Sequence, residues 1–257
     1  MAEKKPPRID TRLRKHIVTM PEEIWAASGI VIWGRRIKSL VFSTDIAIIR
    51  NCNADAVLAV YPFTPQQVIT NSIITASSIP VFAGVGGGTT TGPRVVMLAK
   101  DAEALGAMAV VVNAPTTNEV IHEISKIVDI PVVITVLDEN TDIDARIAAG
   151  AGILNISAAG KTPEVVAKIR EKYPEIPIIA TGGPTRESIK RTIEAGANAI
   201  SFTPPTAMDL FHGLMSRYRS EHESRTDKRI NKRKVKPLIK EVSPFLCSKY
   251  HKIHFTA

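Results

Sequence analysis

Eight short apolar runs alternate with longer amphipathic stretches along the chain. The runs span 40–43, 56–61, 80–85, 109–113, 131–136, 153–157, 177–181 and 199–203. They are nearly continuous in hydrophobicity, as strands buried on both faces are. The stretches 94–106, 118–128, 163–173 and 186–196 instead repeat apolar residues three and four apart, the period of a helix with one buried face. This alternation predicts successive βα units and a parallel sheet rather than hairpins or a bundle. Helix-entry chemistry stands in the same places: Thr162 precedes Pro163, and Thr185 lies three residues before Ser188.

Two further signals count the units independently of hydrophobicity. Ile-Pro pairs open three strands, at Ile79-Pro80, Ile130-Pro131 and Ile176-Pro177. Leu105-Gly106-Ala107, Ala149-Gly150-Ala151 and Ala195-Gly196-Ala197 precede three others. Proline at a strand's first residue sacrifices no ladder bond, and glycine just past a helix takes the left-handed cap. The two signals alternate, so the repeating unit is a pair of βα modules. A closed TIM (β/α)8 barrel over 39–218 is predicted, because its inner layers draw on alternate strands. An open doubly wound sheet of eight strands is the competing arrangement. Ahead of the barrel, 1–38 reads as an extension with a short helix at 21–28. A hairpin at 29–38, turning at Trp33-Gly34, would plug the N-terminal face. Behind it, 219–257 reads as a basic helix or tail, the last barrel helix ending near Tyr218.

The length of 257 residues suits one such barrel, and 44% apolar with 23% charged residues suits an ordinary globular core. A net charge of +8 raises the question of nucleic acid. Its distribution answers it: residues 1–20 carry +4 and 218–257 carry +7, leaving −3 for 21–217. The basic character belongs to the ends. Cys52 and Cys247 are far apart, so a reduced, cytoplasmic compartment is expected rather than a disulfide framework. The opening residues lack the apolar segment of a secretory signal, and prolines and glycines break the longest uncharged stretch. No membrane association is expected.

Ligands of such barrels meet the loops that follow the strands. Those positions are mostly neutral: Ser43, Tyr61, Asn113, Thr135, Asn155 and Ser157, then Thr181, Ser201, Thr203 and Thr206. Charge enters only with Asp45, Asp138, Glu139 and Lys161. The loop Gly84-Val85-Gly86-Gly87-Gly88-Thr89-Thr90-Thr91-Gly92-Pro93-Arg94 leads into a helix. Gly86, Gly87, Gly88 and Thr89 would form an anion-binding nest or the hinges of a lid. The loop lacks the Gly-Lys-Ser/Thr ending of a nucleotide-binding P-loop.

The run Ile178-Ile179-Ala180-Thr181-Gly182-Gly183-Pro184-Thr185, followed by Gly196-Ala197-Asn198-Ala199-Ile200-Ser201, resembles the seventh and eighth strands of phosphate-binding barrels. Examples are N-acetylmannosamine-6-phosphate epimerase, 2-keto-3-deoxy-6-phosphogluconate aldolase and IMP dehydrogenase. The resemblance covers those two βα units and implies that Gly182, Gly183 and the amides after strand eight hold a phosphate at a helix N-terminus. The chain departs from those families at Ser201-Phe202-Thr203-Pro204-Pro205-Thr206, where they end in Gly-Ser or Gly-Thr. Two prolines remove two donors, so the hydroxyls of Ser201, Thr203 and Thr206 are expected to share the task. As a whole the chain is also similar to bacterial barrel proteins that carry a hydrolase label.

Absences narrow the chemistry. No histidine stands at a strand end, which disfavours a His-based triad or a zinc site at the mouth. Cys247, His251 and His254 have loosely metal-like spacing in the tail, which is read as coincidence. Asn155 stands where a Schiff-base lysine would, and Ala158-Ala159-Gly160-Lys161 lacks the cysteine of IMP dehydrogenase. No metal or cofactor is therefore expected. Asp45 is the first choice of general base, with the capping of a helix at 46–50 as its alternative role. Asp138 and Glu139 follow, with Asn113, Asn155 and Lys161 assisting.

The leading expectation is an enzyme acting on a small phosphorylated or anionic carbon compound by proton transfer, as an epimerase, isomerase or lyase, with hydrolysis also open. The alternative is a ligand-sensing regulator, since strands seven and eight also resemble the glycerol-uptake operon antiterminators. Its basic stretch 225–240 would contact RNA. Association into a homo-oligomer is left open by the outer helices.

Overall fold

The computed structural model describes residues 17–234 together with Pro7, Ile9 and Thr11; within the last helix, side chains are described to His222 and at Ser224. A hairpin of β1 (Ile30–Ile32) and β2 (Arg35–Ile37) precedes eight parallel strands. These are β3 (Ser39–Phe42), β4 (Ala56–Ala59), β5 (Val81–Gly86) and β6 (Ala109–Val112), then β7 (Val132–Val136), β8 (Ile153–Ile156), β9 (Ile178–Thr181) and β10 (Ala199–Phe202). The helices are α1 (Ile46–Arg50), α2 (Gln67–Ala76), α3 (Pro93–Ala104), α4 (Asn118–Ile127), α5 (Ile143–Ala148), α6 (Thr162–Lys172), α7 (Arg186–Glu194) and α8 (Ala207–Lys234). β10 pairs with both β9 and β3, Ser201 lying beside Thr181 and Leu40, so the sheet closes. The fold is a TIM barrel.

The capping expected at the Gly-Ala turns recurs with one geometry. Gly106, Gly150 and Gly196 take φ of 98°, 108° and 109°. The next residue's N–H reaches back to a helical carbonyl each time: Ala107 to Ala102, Ala151 to Arg146 and Ala197 to Thr192. This is the Schellman closure. The Ile-Pro prolines lie just before β5, β7 and β9, and their carbonyls accept from the neighbouring strands' Val57, Val110 and Leu154. Thr185 and Ser188 form the full capping box of α7. Thr162, by contrast, lies inside α6 with Lys161 at the N-cap. Its hydroxyl accepts from Ala158 N–H at 3.1 Å and donates to the Ala159 carbonyl at 2.9 Å, holding Ala159 at φ 51°.

Two cores flank the sheet. Outside, the strands pack against helices through residues such as Val57, Val110, Ile121, Ile124 and Ile200. Inside, Leu40, Phe82, Val111, Val133, Ile153 and Ile179 fill the barrel, joined from the hairpin by Ile30, Ile32 and Ile37. The hairpin thus plugs the barrel interior. Trp33 and Gly34 both have positive φ, 47° and 78°, as a two-residue type I′ turn requires. Residues 22–26 wind as a 3-10 turn packed on α7, shorter than the helix expected over 21–28, because Ala27 is extended and Gly29 left-handed.

The chain forms two compact units, Met1–Ala207 with the barrel and Met208–Ala257. α8 runs to Lys234, well past the end expected near Tyr218, and exposes Met208, Phe211 and Tyr218. Residues 235–257, which hold the rest of the basic stretch and Cys247, His251 and His254, lie outside the described residues. Among the described residues no helix is long and apolar enough to cross a membrane.

Asn198, from the phosphate-barrel-like run, is a structural hub. Its Oδ1 accepts from Ile178 N–H at 2.9 Å and from the Arg170 guanidinium at 2.7 Å, while Nδ2 donates to Ser28 Oγ at 2.9 Å. Its carbonyl also accepts from Gly29 N–H at 2.8 Å. Burial pulls the Arg170 guanidinium below its ordinary pKa, so its partners matter. Asn198→Ala strands Ile178 N–H and takes one of the two bonds of Arg170 Nη2, which keeps the Gly196 carbonyl. A loss of about 1–3 kcal/mol is expected, read as a lower urea midpoint at unchanged slope.

Candidate functional site

Side chains alternate along a strand, so the buried interior fixes which residues face inward at the C-terminal rim. Leu40, Leu58 and Phe82 point into the barrel, and two residues on stand Phe42, Val60 and Gly84. Val111, Val133, Ile153, Ile179 and Ala199 point inward too, and two residues beyond them come Asn113, Thr135, Asn155, Thr181 and Ser201. The uppermost inner layer is therefore apolar over β3–β5 and polar over β6–β10. It contains no charge.

The polar arc is sparsely bonded. Asn155 Nδ2 reaches Thr135 Oγ1 at 3.4 Å, and Thr181 Oγ1 donates to Ser157 Oγ at 3.4 Å. Asn155 is only 8% exposed, and its buried Oδ1 has no hydrogen-bond partner. Ser201 is buried as well. Asn155 and Ser201 were site candidates from the sequence; Thr135, Ser157 and Thr181, read there only as strand-end positions, join them through the alternation set by the buried apolar residues beneath.

Two cavities open at this end of the barrel. One, of about 530 Å³, is lined by Ser43, Thr44, Asp45, Tyr61, Thr203 and Thr206 among others. The second, of about 190 Å³, lies between Phe63 and Pro65 on one side and Gly84, Gly86, Gly88, Thr89 and Asn113 on the other. Val60 and Pro62 line both. Asp45, Thr203 and Thr206 are thus brought to one cavity, and Asn113 to the other with the glycine loop.

Three of the four charged candidates have structural work. Asp45 caps α1, its Oδ1 accepting from Ala47 N–H at 2.7 Å and Ile48 N–H at 3.3 Å. Asp138 accepts from Asn140 N–H at 2.9 Å in an exposed loop, and Glu139 pairs with Lys168 on the surface. Lys161 is exposed in a 3-10 turn after β8. Among the described residues no three His, Cys, Asp or Glu side chains are placed to hold a metal ion. Burial raises the thiol pKa of Cys52, which keeps it protonated and unreactive, and it lies before β4, at the opposite end of that strand from the mouth.

The glycine turns are shaped by close packing. A Cβ at Gly182 would stand 2.7 Å from Ile200 Cγ2 and 2.8 Å from Ile189 Cγ1, and its N–H bonds the Ser201 carbonyl at 3.3 Å. Gly183 needs its φ of 77°. In the β5–α3 loop Gly87 donates to the Thr90 carbonyl at 2.9 Å, and Asn113 N–H donates to the Gly86 carbonyl at 3.0 Å. These amides serve the turns themselves.

No protein-family model matches the chain, and no curated protein matches its sequence. Solved structures do. A Burkholderia cenocepacia J2315 protein with a provisional phosphonomutase assignment is 15% identical, with TM-score 0.56 over 71% of this chain and 92% of that one. Phosphoenolpyruvate phosphomutase from Streptomyces platensis subsp. rosaceus is 16% identical, with TM-score 0.54 over 80% and 86%. Phosphonopyruvate hydrolase, solved with oxalate and Mg²⁺, is 16% identical, with TM-score 0.50 over 82% and 90%. The likeness is one of fold.

Gly87 and Gly88 separate packing from mere flexibility. A Cβ at Gly87, where φ is 99°, would collide with Thr116 Oγ1 and stand 2.7 Å from the Asn113 nitrogen. At Gly88 it would meet nothing within 4 Å. Gly87→Ala is expected to destabilise the fold by more than about 1 kcal/mol while Gly88→Ala leaves the urea midpoint nearly unchanged.

Proposed function

We propose that the chain is a barrel enzyme that binds a small phosphorylated or otherwise anionic carbon compound and moves a proton on it, as an epimerase, isomerase or lyase. The larger cavity carries this reading, because it gathers one carboxylate, Asp45, with the hydroxyls of Ser43, Thr44, Thr203 and Thr206 at the ends of β3 and β10. Both of Asp45's bonds to α1 fall on Oδ1, so Oδ2 is the oxygen to take the proton. The cap bonds also fix the carboxylate's orientation, as a general base requires.

Asn113 and Asn155 are the amides suited to a developing oxyanion, and they need no counter-ion to act. The anionic group would sit against the hydroxyls of Thr203 and Thr206 and the loops of Gly86, Gly87, Gly88 and Thr89 and of Gly182 and Gly183, with Ser201 buried in the inner layer beneath them. Lys161 and Asp138, both exposed, are left as outer contacts on the ligand's approach. Support comes also from the neighbours' names: phosphonopyruvate, phosphoenolpyruvate and oxalate are small anionic carbon compounds. The strand-seven and strand-eight resemblance to phosphate-binding barrels points the same way.

Thermal melts of the full chain with millimolar oxalate, inorganic phosphate and a set of sugar phosphates test the ligand class. A rise in Tm with at least one of them is expected, and no rise with any anion removes the anionic reading. Asp45→Asn keeps a good N-cap, so stability should hold. Turnover of the substrate so found should fall at least about 100-fold, and unchanged turnover would remove Asp45 from the chemistry.

A further inference from the structure

At the mouth end of the barrel two buried side-chain oxygens lack a hydrogen-bond partner, Thr116 Oγ1 in the loop after β6 and Asn155 Oδ1, and of the two only Asn155 stands on a barrel strand. Asn155 sits on β8 two residues above Ile153, one of the buried side chains of the barrel interior, so its amide faces inward. The side chain is 8% exposed. One end of the amide reaches Thr135 Oγ1 at 3.4 Å, and the other has no partner. A buried amide end left unbonded costs stability, and native folds rarely carry one without a use.

The surroundings state what kind of partner would complete it. Below lie Val133, Ile153 and Ile179, all essentially inaccessible to solvent. Beside it are the hydroxyls of Thr135, Ser157 and Thr181. No lysine, arginine, histidine, aspartate or glutamate occupies an inward-facing position of this layer. A carboxylate or phosphate inserted here would give up its hydration with no positive charge to replace it, and an ammonium would find no negative one. Either transfer is far costlier than burying a neutral group that gains a hydrogen bond.

From this we infer that the end of the ligand inserted into the barrel is uncharged and hydrogen-bonding, a carbonyl or a hydroxyl, and that Asn155 with Thr135 is its receiving pair. An amide can turn end for end, so Asn155 accepts from a hydroxyl through Oδ1 or donates to a carbonyl through Nδ2. The inference rests on the reading of the mouth as a ligand site. It gives the ligand a polarity: the neutral end points down onto Asn155, and the anionic end stays among the loops. The reacting carbon then belongs to the neutral end, where the developing charge of an enolate would fall on the Asn155 amide.

The test uses full-length protein labelled so that the Asn155 side-chain amide is observed by NMR. Hydroxyacetone is the neutral probe, and acetate, oxalate and inorganic phosphate are the anionic ones. Hydroxyacetone is expected to shift the Asn155 amide signals with saturation, and each anion is expected to leave them in place. Phosphate-induced shifts confined to the loop amides would support the anionic reading separately, so the two ideas fail independently. Asn155→Leu and Thr135→Val should each weaken hydroxyacetone binding at least tenfold. Asn155→Leu should also raise Tm, because it removes the orphaned polar group at similar volume; a residue kept for folding would lower it. Shifts of the Asn155 amide by oxalate or phosphate, no response to hydroxyacetone, or a lowered Tm for Asn155→Leu would each overturn the assignment.

Discussion

Closure of the sheet between β10 and β3 governs everything else in this molecule. An eight-stranded sheet joined to itself has no edge, and its inner face has no exit to solvent except at the two ends. Every inward side chain must then be apolar, be plugged, or find a partner at the mouth. The lower layers meet the first condition with Leu40, Phe82, Val111 and Ile179, and the hairpin isoleucines 30, 32 and 37 meet the second. The upper layer is left with the third, and it is there that Asn155 stands incompletely bonded.

The architecture was largely legible in the chain. Each strand of the barrel falls within or one residue beyond its predicted apolar run, because burial on both faces leaves a continuous hydrophobic signature. The Gly-Ala turns were equally readable, since one left-handed residue after a helix has few alternatives to glycine. Thr162 was misplaced because a hydroxyl before a proline suits a cap as well as a first helical turn, and only its own helical backbone, φ −52° and ψ −47°, decides between them. α8 was cut short because a charged run carries no packing signal to say where a helix stops.

The site was less legible, and for a physical reason. Asp45, Asn113, Asn155 and Thr203 were identified as strand-end residues, yet position along the chain does not say whether a side chain faces inward or serves its own turn. Asp45 does serve its turn, with one oxygen. The glycines after β9 are required by Ile189, Ile200 and Ser188 whatever else they do. Folds of this type host many chemistries, so the likeness to phosphonate-handling barrels speaks to architecture, while the donors at the mouth must speak for the reaction.

The bonds of Asn198 carry a temporal consequence. Gly29 and Ser28 lie 169 and 170 residues before it, yet both are hydrogen-bonded to it. The segment around Ser28 and Gly29 therefore cannot settle until the chain just before the last barrel strand has emerged. The hairpin and the 3-10 turn must wait while seven strands assemble, their isoleucines uncovered in the interval. Contacts of such long sequence separation slow the final step of folding. In this barrel the hairpin ahead of β3 acts as the clasp fastened last.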